Sequence, residues 1–268
     1  MTPTVADMIE LLEVIAPPYL AESWDNCGLQ VGDRQGPVKH VRTALDPLGP
    51  VVVDALGAGV ELLVTHHPLI FKPLARIDAG TPVGRVIERA LTAHMAVYSA
   101  HTSLDSAADG LNDLLARRLA ITPRGPIEAP ASGAPGCGLG RIGTLAAPMT
   151  LGALAAACRR RLGLATVRVA GHPDLTVDTA ALCSGSGGGL VEAFLAGPAQ
   201  AYISGDLRYH DACSVTAAGR GMIDIGHFGS ERIMIADVAA RLREALAGTG
   251  VTVTACDLER DPFTLVGG

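Results

Sequence analysis

The chain has 268 residues, 49% of them hydrophobic and 18% charged, a balance that suits a packed globular protein and excludes a disordered one. A formal net charge of −6 leaves no basic face for nucleic acid, and no apolar run approaches the roughly 18 residues that suggest a membrane span. Aromatic residues make up only 3%, so the core has to rest on Ala, Val, Leu and Ile.

In chain order, the first signal is a helix over 4–15. Thr4 stands as its N-cap with Asp7 three residues on, and Met8, Leu12 and Ile15 share a face. This start has neither the basic nor the apolar region of a targeting segment. Trp24-Asp25-Asn26-Cys27-Gly28 reads as a turn before a strand, with the sole Trp as its anchor. Short β-rich runs follow at 38–45, 60–65 and 95–100, with helical stretches at 49–58, 82–93 and 107–119. A Gly/Pro/Ala/Ser-rich stretch near 122–140 interrupts the alternation and reads as a linker. Beyond it come strands near 141–146, 167–170, 177–183, 200–204 and 221–225, and helices near 150–162, 189–196, 208–218 and 230–246. The run Arg159-Arg160-Arg161 fits a solvated helix C-terminus better than a phosphate track.

Such alternation predicts an α/β protein of two similar lobes, each with a mixed or parallel sheet flanked by helices. The expected division is a first lobe over 1–123, a linker over 124–140 and a second lobe over 141–268. An internal duplication is legible: His101-x-x-x-Asp105 after one strand answers His227-x-x-x-Glu231 after another. Six cysteines (27, 137, 158, 183, 213 and 256) form no CxxC pair, which points to reduced thiols in a cytoplasmic protein.

Ligands of parallel α/β sheets gather at the carboxyl ends of the strands. His66 and His67, Asp105, and His227 with Glu231 all fall at such ends, and imidazole and carboxylate are ligands of Zn, Mn, Fe, Co or Ni. Adjacent histidines at a strand end can point to different sides, so two ions, one His to each with a carboxylate between them, is an arrangement the spacing permits. Glu231 is the best bridge, on the inward face of a helix whose buried stripe runs Ile235, Val238, Leu242. Each residue alone has a plainer reading. Paired histidines can bond backbone carbonyls, Asp105 can cap the helix over 107–119, and Glu231 suits a helix N-terminus without any metal. Gly185-Ser186-Gly187-Gly188-Gly189 fits a tight strand-to-helix turn better than a phosphate cradle. Asp206 and His210 stand at the same edge, where a surface cap and a packed histidine are the plainer readings.

Several of these segments resemble one family. Thr65-His66-His67-Pro68-Leu69-Ile70-Phe71 is similar to its THHPL(I/L)F signature, and Trp24-Asp25-Asn26 through Gly28-Leu29-Gln30-Val31-Gly32 to its WDNxGLQVG. His101-Thr102-Ser103-Leu104-Asp105 resembles HTxLD, Gly226-His227 through Ser230-Glu231 resembles GHxxSE, and Ser204-Gly205-Asp206 with Tyr209-His210-Asp211 resembles (S/T)GDxxYHD. The family is the NIF-three-like one, whose members are named GTP cyclohydrolase type two homologues. The resemblance spans about residue 5 to Asp261-Pro262-Phe263, without the large middle insertion of longer members, and with Cys27 and Ser103 where other residues are common.

The resemblance implies a toroidal homo-oligomer, commonly a homohexamer, of two-lobed subunits with a dinuclear metal site between the lobes. His66, His67, Asp105, His227 and Glu231 are then the ligands of two divalent ions. The functional expectation is a metal-dependent hydrolase or cyclohydrolase acting on a nucleotide-like or other small polar substrate, with His101 as proton shuttle. The competing expectation is a non-catalytic metal-binding protein for metal delivery or for regulation through protein partners.

Overall fold

The structure, a computed structural model, describes residues 2–130, 132–264 and 266. In chain order its elements begin α1 (Val5–Ile15), β1 (Gly28–Val31), β2 (His40–Ala44), α2 (Gly49–Gly57), β3 (Leu62–Thr65), α3 (Pro82–Thr92), β4 (Ala96–Ser99), α4 (Thr102–Ser106) and α5 (Leu111–Leu119). They continue with β5 (Ile121–Gly125), β6 (Arg141–Thr150), α6 (Leu151–Leu162), β7 (Arg168–Ala170), β8 (Thr176–Ser186), α7 (Val191–Ala196), β9 (Ala201–Gly205) and α8 (Tyr209–Ala217). The last are β10 (Gly221–Asp224), α9 (His227–Glu231), α10 (Ile233–Ala245) and β11 (Thr252–Ala255). Among the described residues no helix is long and apolar enough to cross a membrane.

Local signals set most boundaries. At α1 the backbone N–H of Thr4 donates to the Asp7 carboxylate (2.6 Å) while that of Asp7 donates back to the Thr4 hydroxyl (3.3 Å), a reciprocal capping box. α3 starts with Thr81 as N-cap and Pro82 at its first position, where the missing N–H costs nothing. α6 runs from the Thr150 cap to Gly163, whose left-handed φ of 65° closes it just after Arg159, Arg160 and Arg161. Two expected helices are revised. The one expected over 107–119 starts only at Leu111, as α5, because Asp109 turns left-handed (φ 58°) and Gly110 restarts the chain as its N-cap; the short α4 lies wholly before it. Asp105 therefore caps nothing at α5; its place is in α4. The one expected over 230–246 becomes α9 and α10, with Arg232 between them.

The chain forms two compact units, residues 1–104 with 234–268, and residues 105–233. This division falls outside the segment 124–140. α5 and β5 belong to the second unit, where β5 pairs antiparallel with β6, and α10 and β11 return to the first, where β11 pairs parallel with β2. Nor is 124–140 a plain linker. β5 occupies its start, with Pro123 at a register irregularity that tolerates its missing N–H, and Glu128 bridges Leu139.

The first unit holds a five-stranded sheet in the order β1-β4-β3-β2-β11, parallel except for β1. β3 is buried along its whole length, as a central parallel strand must be. The second unit holds six strands in the order β5-β6-β8-β9-β10-β7, with β8, β9 and β10 parallel. In each unit four consecutive strands share one topology. β1-β4-β3-β2 and β7-β10-β9-β8 both place the first strand antiparallel to the fourth, with helices linking the three parallel strands. The apolar layer of the second unit is aliphatic on one side of its sheet (Leu151, Leu154, Leu182, Ile203, Ile223) and includes Phe194 stacked on Tyr202 on the other.

One buried cation ties the 126–140 loop to this unit. Arg141, 2% exposed, donates from Nε and one terminal nitrogen to the two oxygens of Asp113 (both 2.8 Å), and also to the carbonyls of Gly138, Gly140 and Ala107. Removing it leaves a carboxylate and three carbonyls without their donor. Arg141→Met is expected to lower stability by about 3–5 kcal/mol in urea unfolding. A loss below about 1 kcal/mol would show that water replaces the guanidinium.

Candidate metal centre

In the first unit the site grows from the carboxyl ends of β3 and β4. The chain leaves β3 at His66 and His67, and the backbone N–H groups of both donate to the carbonyl of Leu45 (3.2 and 3.0 Å). Ser99 donates to the His66 carbonyl and Thr65 to that of His67, so the pair is fixed from both strands. His66 is fully buried and donates from Nδ1 to the carbonyl of Ala100 (2.9 Å). His67 turns its Nδ1 to Asp46 (2.8 Å), and the backbone of Leu45 and Asp46 is held in turn by the Glu259 carboxylate (2.8 and 2.7 Å). His101, just past β4, turns its Nδ1 to Asp25 (2.8 Å).

These Nδ1 partners are acceptors, so each Nδ1 carries a proton, and Nε2 is the nitrogen that presents a lone pair when the ring is neutral. The ring nitrogens of His66, His67 and His101 offer ligand atoms within 4.8 Å of one another. Asp25 also accepts from the Thr102 backbone (3.0 Å) and hydroxyl, the Asn26 backbone (2.7 Å) and the Cys27 thiol (3.0 Å). Burial opposes its ionisation, yet the bonds from His101, Thr102 and Cys27 together outweigh burial and hold its carboxyl far below the usual range. Burial pushes the Glu259 carboxyl up, partly offset by the two N–H groups it accepts.

In the second unit His227 opens α9 directly after β10 and its Gly226 turn, and Glu231 lies one turn further on. His227 Nδ1 faces Asp206 (2.8 Å) just past the end of β9, while Nε2 lies 2.9 Å from Oε2 of Glu231, itself 3% exposed. With the proton on Nδ1, that second contact sets a lone pair against a carboxylate oxygen, which is stable only around a cation: a second proton or a metal. Gly185, at φ +63°, makes the room, because a Cβ there would lie 2.1 Å from Oε1 of Glu231. Ser184 beside it donates to Asp105 (3.0 Å), whose backbone carbonyl is held by Asn112. Burial, reinforced by Asp105 and Glu231, drives the Cys183 thiol upward. The donor chemistry fits borderline divalent ions such as Zn, Mn or Fe.

Each unit therefore assembles its share of the sequence candidates: His66 and His67 with His101 in the first, His227 and Glu231 together and Asp105 on Ser184 in the second. His101, expected as a proton shuttle, keeps company with the histidines. Trp24 does not anchor its turn, being 58% exposed; the fully buried side chain of Asp25 does. Asp206 is no mere surface cap but the partner of His227, whereas His210 is exposed with its ring edge-on to Tyr209. Asp46 and Glu259 had no motif to announce them, because their role depends on a fold that brings 45–46, 66–67 and 259 together.

Residues 3–262 match the family model described as Duf34/NIF3 (NGG1p interacting factor 3). A Streptomyces coelicolor protein named GTP cyclohydrolase 1 type 2 homolog is 36% identical over 85% of this chain and 82% of its own. A Clostridium acetobutylicum protein of the same name is 32% identical over 94% of each chain. The crystal structure of a Bacillus cereus protein related to NIF3 superposes with a TM-score of 0.88 at 27% identity, covering 99% of this chain and all of that one.

Two tests address the groups behind the histidines. Asp46→Asn leaves the His67 ring without its carboxylate and is expected to weaken Mn²⁺ or Zn²⁺ binding by roughly 10–100-fold in calorimetric titration. Unchanged affinity would remove Asp46 from the site. For Asp25, whose folded carboxyl titrates below its unfolded value of about 3.9, the stabilising contribution is complete above about pH 5 and fades as acid protonates it. Asp25→Asn should therefore be less stable than wild type at pH 7, and the gap should narrow at pH 3. Equal gaps at both pH values in urea melts would mean that its charge contributes nothing.

Proposed function

The chain belongs to the Duf34/NIF3 family, and from that premise we propose that it binds two divalent metal ions through His66, His67, Asp105, His227 and Glu231 and acts as a metal-dependent hydrolase on a nucleotide-like or other small polar substrate. The observation that carries this reading is the common setting of the histidines. Each turns Nδ1 to a fixed carbonyl or carboxylate at 2.8–2.9 Å, the arrangement that fixes tautomer and orientation in metal-ligating imidazoles. The name shared by the two bacterial relatives, GTP cyclohydrolase 1 type 2 homolog, agrees with a nucleotide-like substrate.

Ions held by such donors supply Lewis acidity, polarising a substrate oxygen and easing deprotonation of water near neutral pH. The protein's own residues do the rest. His66, sealed from solvent, and Glu231, nearly so, give fixed donor positions that need no reorganisation on binding. His101 is the proton carrier: its Nδ1–H stays on Asp25, so Nε2 takes a proton from the attacking group and returns it to the leaving group. Asp25, ionised well below neutral pH, stabilises the imidazolium formed in between. The homohexamer belongs to the same reading and is measured by analytical ultracentrifugation.

Elemental analysis after reconstitution should give two ions per chain for wild type and fewer for His227→Ala. A stoichiometry that stays at one, with Glu231→Gln unchanged, would count against a bridged pair. Turnover across a panel of nucleotides and small amides should vanish with chelator and return with Mn²⁺ or Zn²⁺. Metal uptake with no turnover on any of them would sink the hydrolase reading while leaving the metal site standing.

A further inference from the structure

Trp24 and Phe71 stand where a large apolar side chain gains little from the fold. The indole is 58% exposed and the phenyl 48%, in a chain with one Trp and four Phe. A single exposed aromatic residue is ordinary. Here two of them meet, with ring centroids 6.0 Å apart and planes at 63°, and both lie against the His101 ring at 6.2 and 6.4 Å. His101 is in turn 5.1 Å from His66 and 5.6 Å from His67. The pair therefore forms a corner of exposed ring surface on the margin of the imidazole cluster.

The corner is also built to stay in place. Asn26, two residues from Trp24, donates from its side-chain nitrogen to the carbonyl of Ile70, the neighbour of Phe71 (2.6 Å). The N–H of Ile70 donates back to Gln30 Oε1 (3.1 Å), and Gln30 closes the circuit on the Asn26 carbonyl (2.7 Å). On the other side Glu22 N–H donates to the Thr102 hydroxyl, and the Asp25 carboxylate is fixed by His101 and Thr102. These bonds hold the backbone on both sides of Trp24 and beside Phe71, while the two rings remain in water. Polar locks under unburied rings give rigid stacking surface with no loop ordering left to do on binding.

We propose that Trp24 and Phe71 form a stacking platform for a planar heteroaromatic ring, which they hold beside the His66–His67–His101 cluster. A ring laid on one face of the corner meets the other edge-on, the two arrangements that aromatic quadrupoles favour. Stacking of this kind tolerates different bases, because each presents a π-face. The purpose of holding a ring there rests on the proposed reading of the cluster as a reaction centre. Binding of the ring itself needs no metal.

Trp24 is the only tryptophan, so its emission reports the platform alone. Guanosine is the probe and ribose its ring-free control, each titrated into the full chain both with chelator and after Mn²⁺ reconstitution. The expected result is saturable quenching by guanosine, none by ribose, and persistence of the quench under chelation. Phe71→Ala should weaken guanosine by about tenfold or more, the usual effect of removing one stacking partner. Phe71→Tyr, which keeps a ring, should retain it. Because Phe71 is half-exposed, both variants should keep the wild-type melting temperature. Absence of saturable quenching, or equal affinity in Phe71→Ala, would overturn the platform. So would an emission maximum that shifts blue with protein concentration and ignores guanosine, since a second copy of the chain would then cover the rings. Failure of the metal reading would leave the chelated-arm quench intact, and failure of the platform would leave metal uptake intact.

Discussion

An imidazole ring has two nitrogens, and it can offer a lone pair in a defined direction only if its proton is held on the other one. In each unit the surroundings of the candidate histidines answer that constraint. His66 is served by a strand-end carbonyl, His67 by Asp46, His101 by Asp25 and His227 by Asp206. Three of these four acceptors are carboxylates, and carboxylates near a low-dielectric site have to be satisfied in turn. Asp25 takes bonds from Thr102, Asn26 and Cys27, and the loop carrying Asp46 is gripped by Glu259 from the far end of the chain. A second ring of polar contacts follows directly from the demand for the first.

The repeated topology explains how the candidate donors come to stand at strand ends. After each βαβαβ run of the chain the last strand leads to a histidine, and a five-residue helix places a carboxylate four positions later: His101 with Asp105 in α4, His227 with Glu231 in α9. What is repeated is the backbone path. The anchors are not: Asp25 precedes β1, whereas Asp206 follows β9. The equivalent histidines thus sit on equivalent strands but reach their proton acceptors by different routes. The close approach of Gly185 to Glu231 also has a local reason, since only a residue without Cβ and free to take φ +63° leaves the carboxylate its place.

The amino-acid sequence by itself determined the periodicities and therefore the elements. The capped start at Thr4, the apolar strands ending at Thr65 and Ser99, and the helices over 82–93 and 150–162 follow from nearest-neighbour chemistry, which a sequence displays in full. It also displayed the candidate donors, because histidines and carboxylates at strand ends are conspicuous in a chain with so few charges. Tertiary structure decided what depends on residues far apart in the chain. β5 and β11 are strands only because β6 and β2 offer them edges, so a polar Thr-Pro-Arg and a short Thr-Val-Thr gave no signal. The break between α4 and α5 rests on a left-handed Asp109, a backbone state that composition leaves open. Asp46, Glu259 and the buried Asp25 acquire their roles through bonds spanning 21, 213 and 76 residues, respectively. Periodicity records which face of an element is buried; only the folded chain determines what lies across from it.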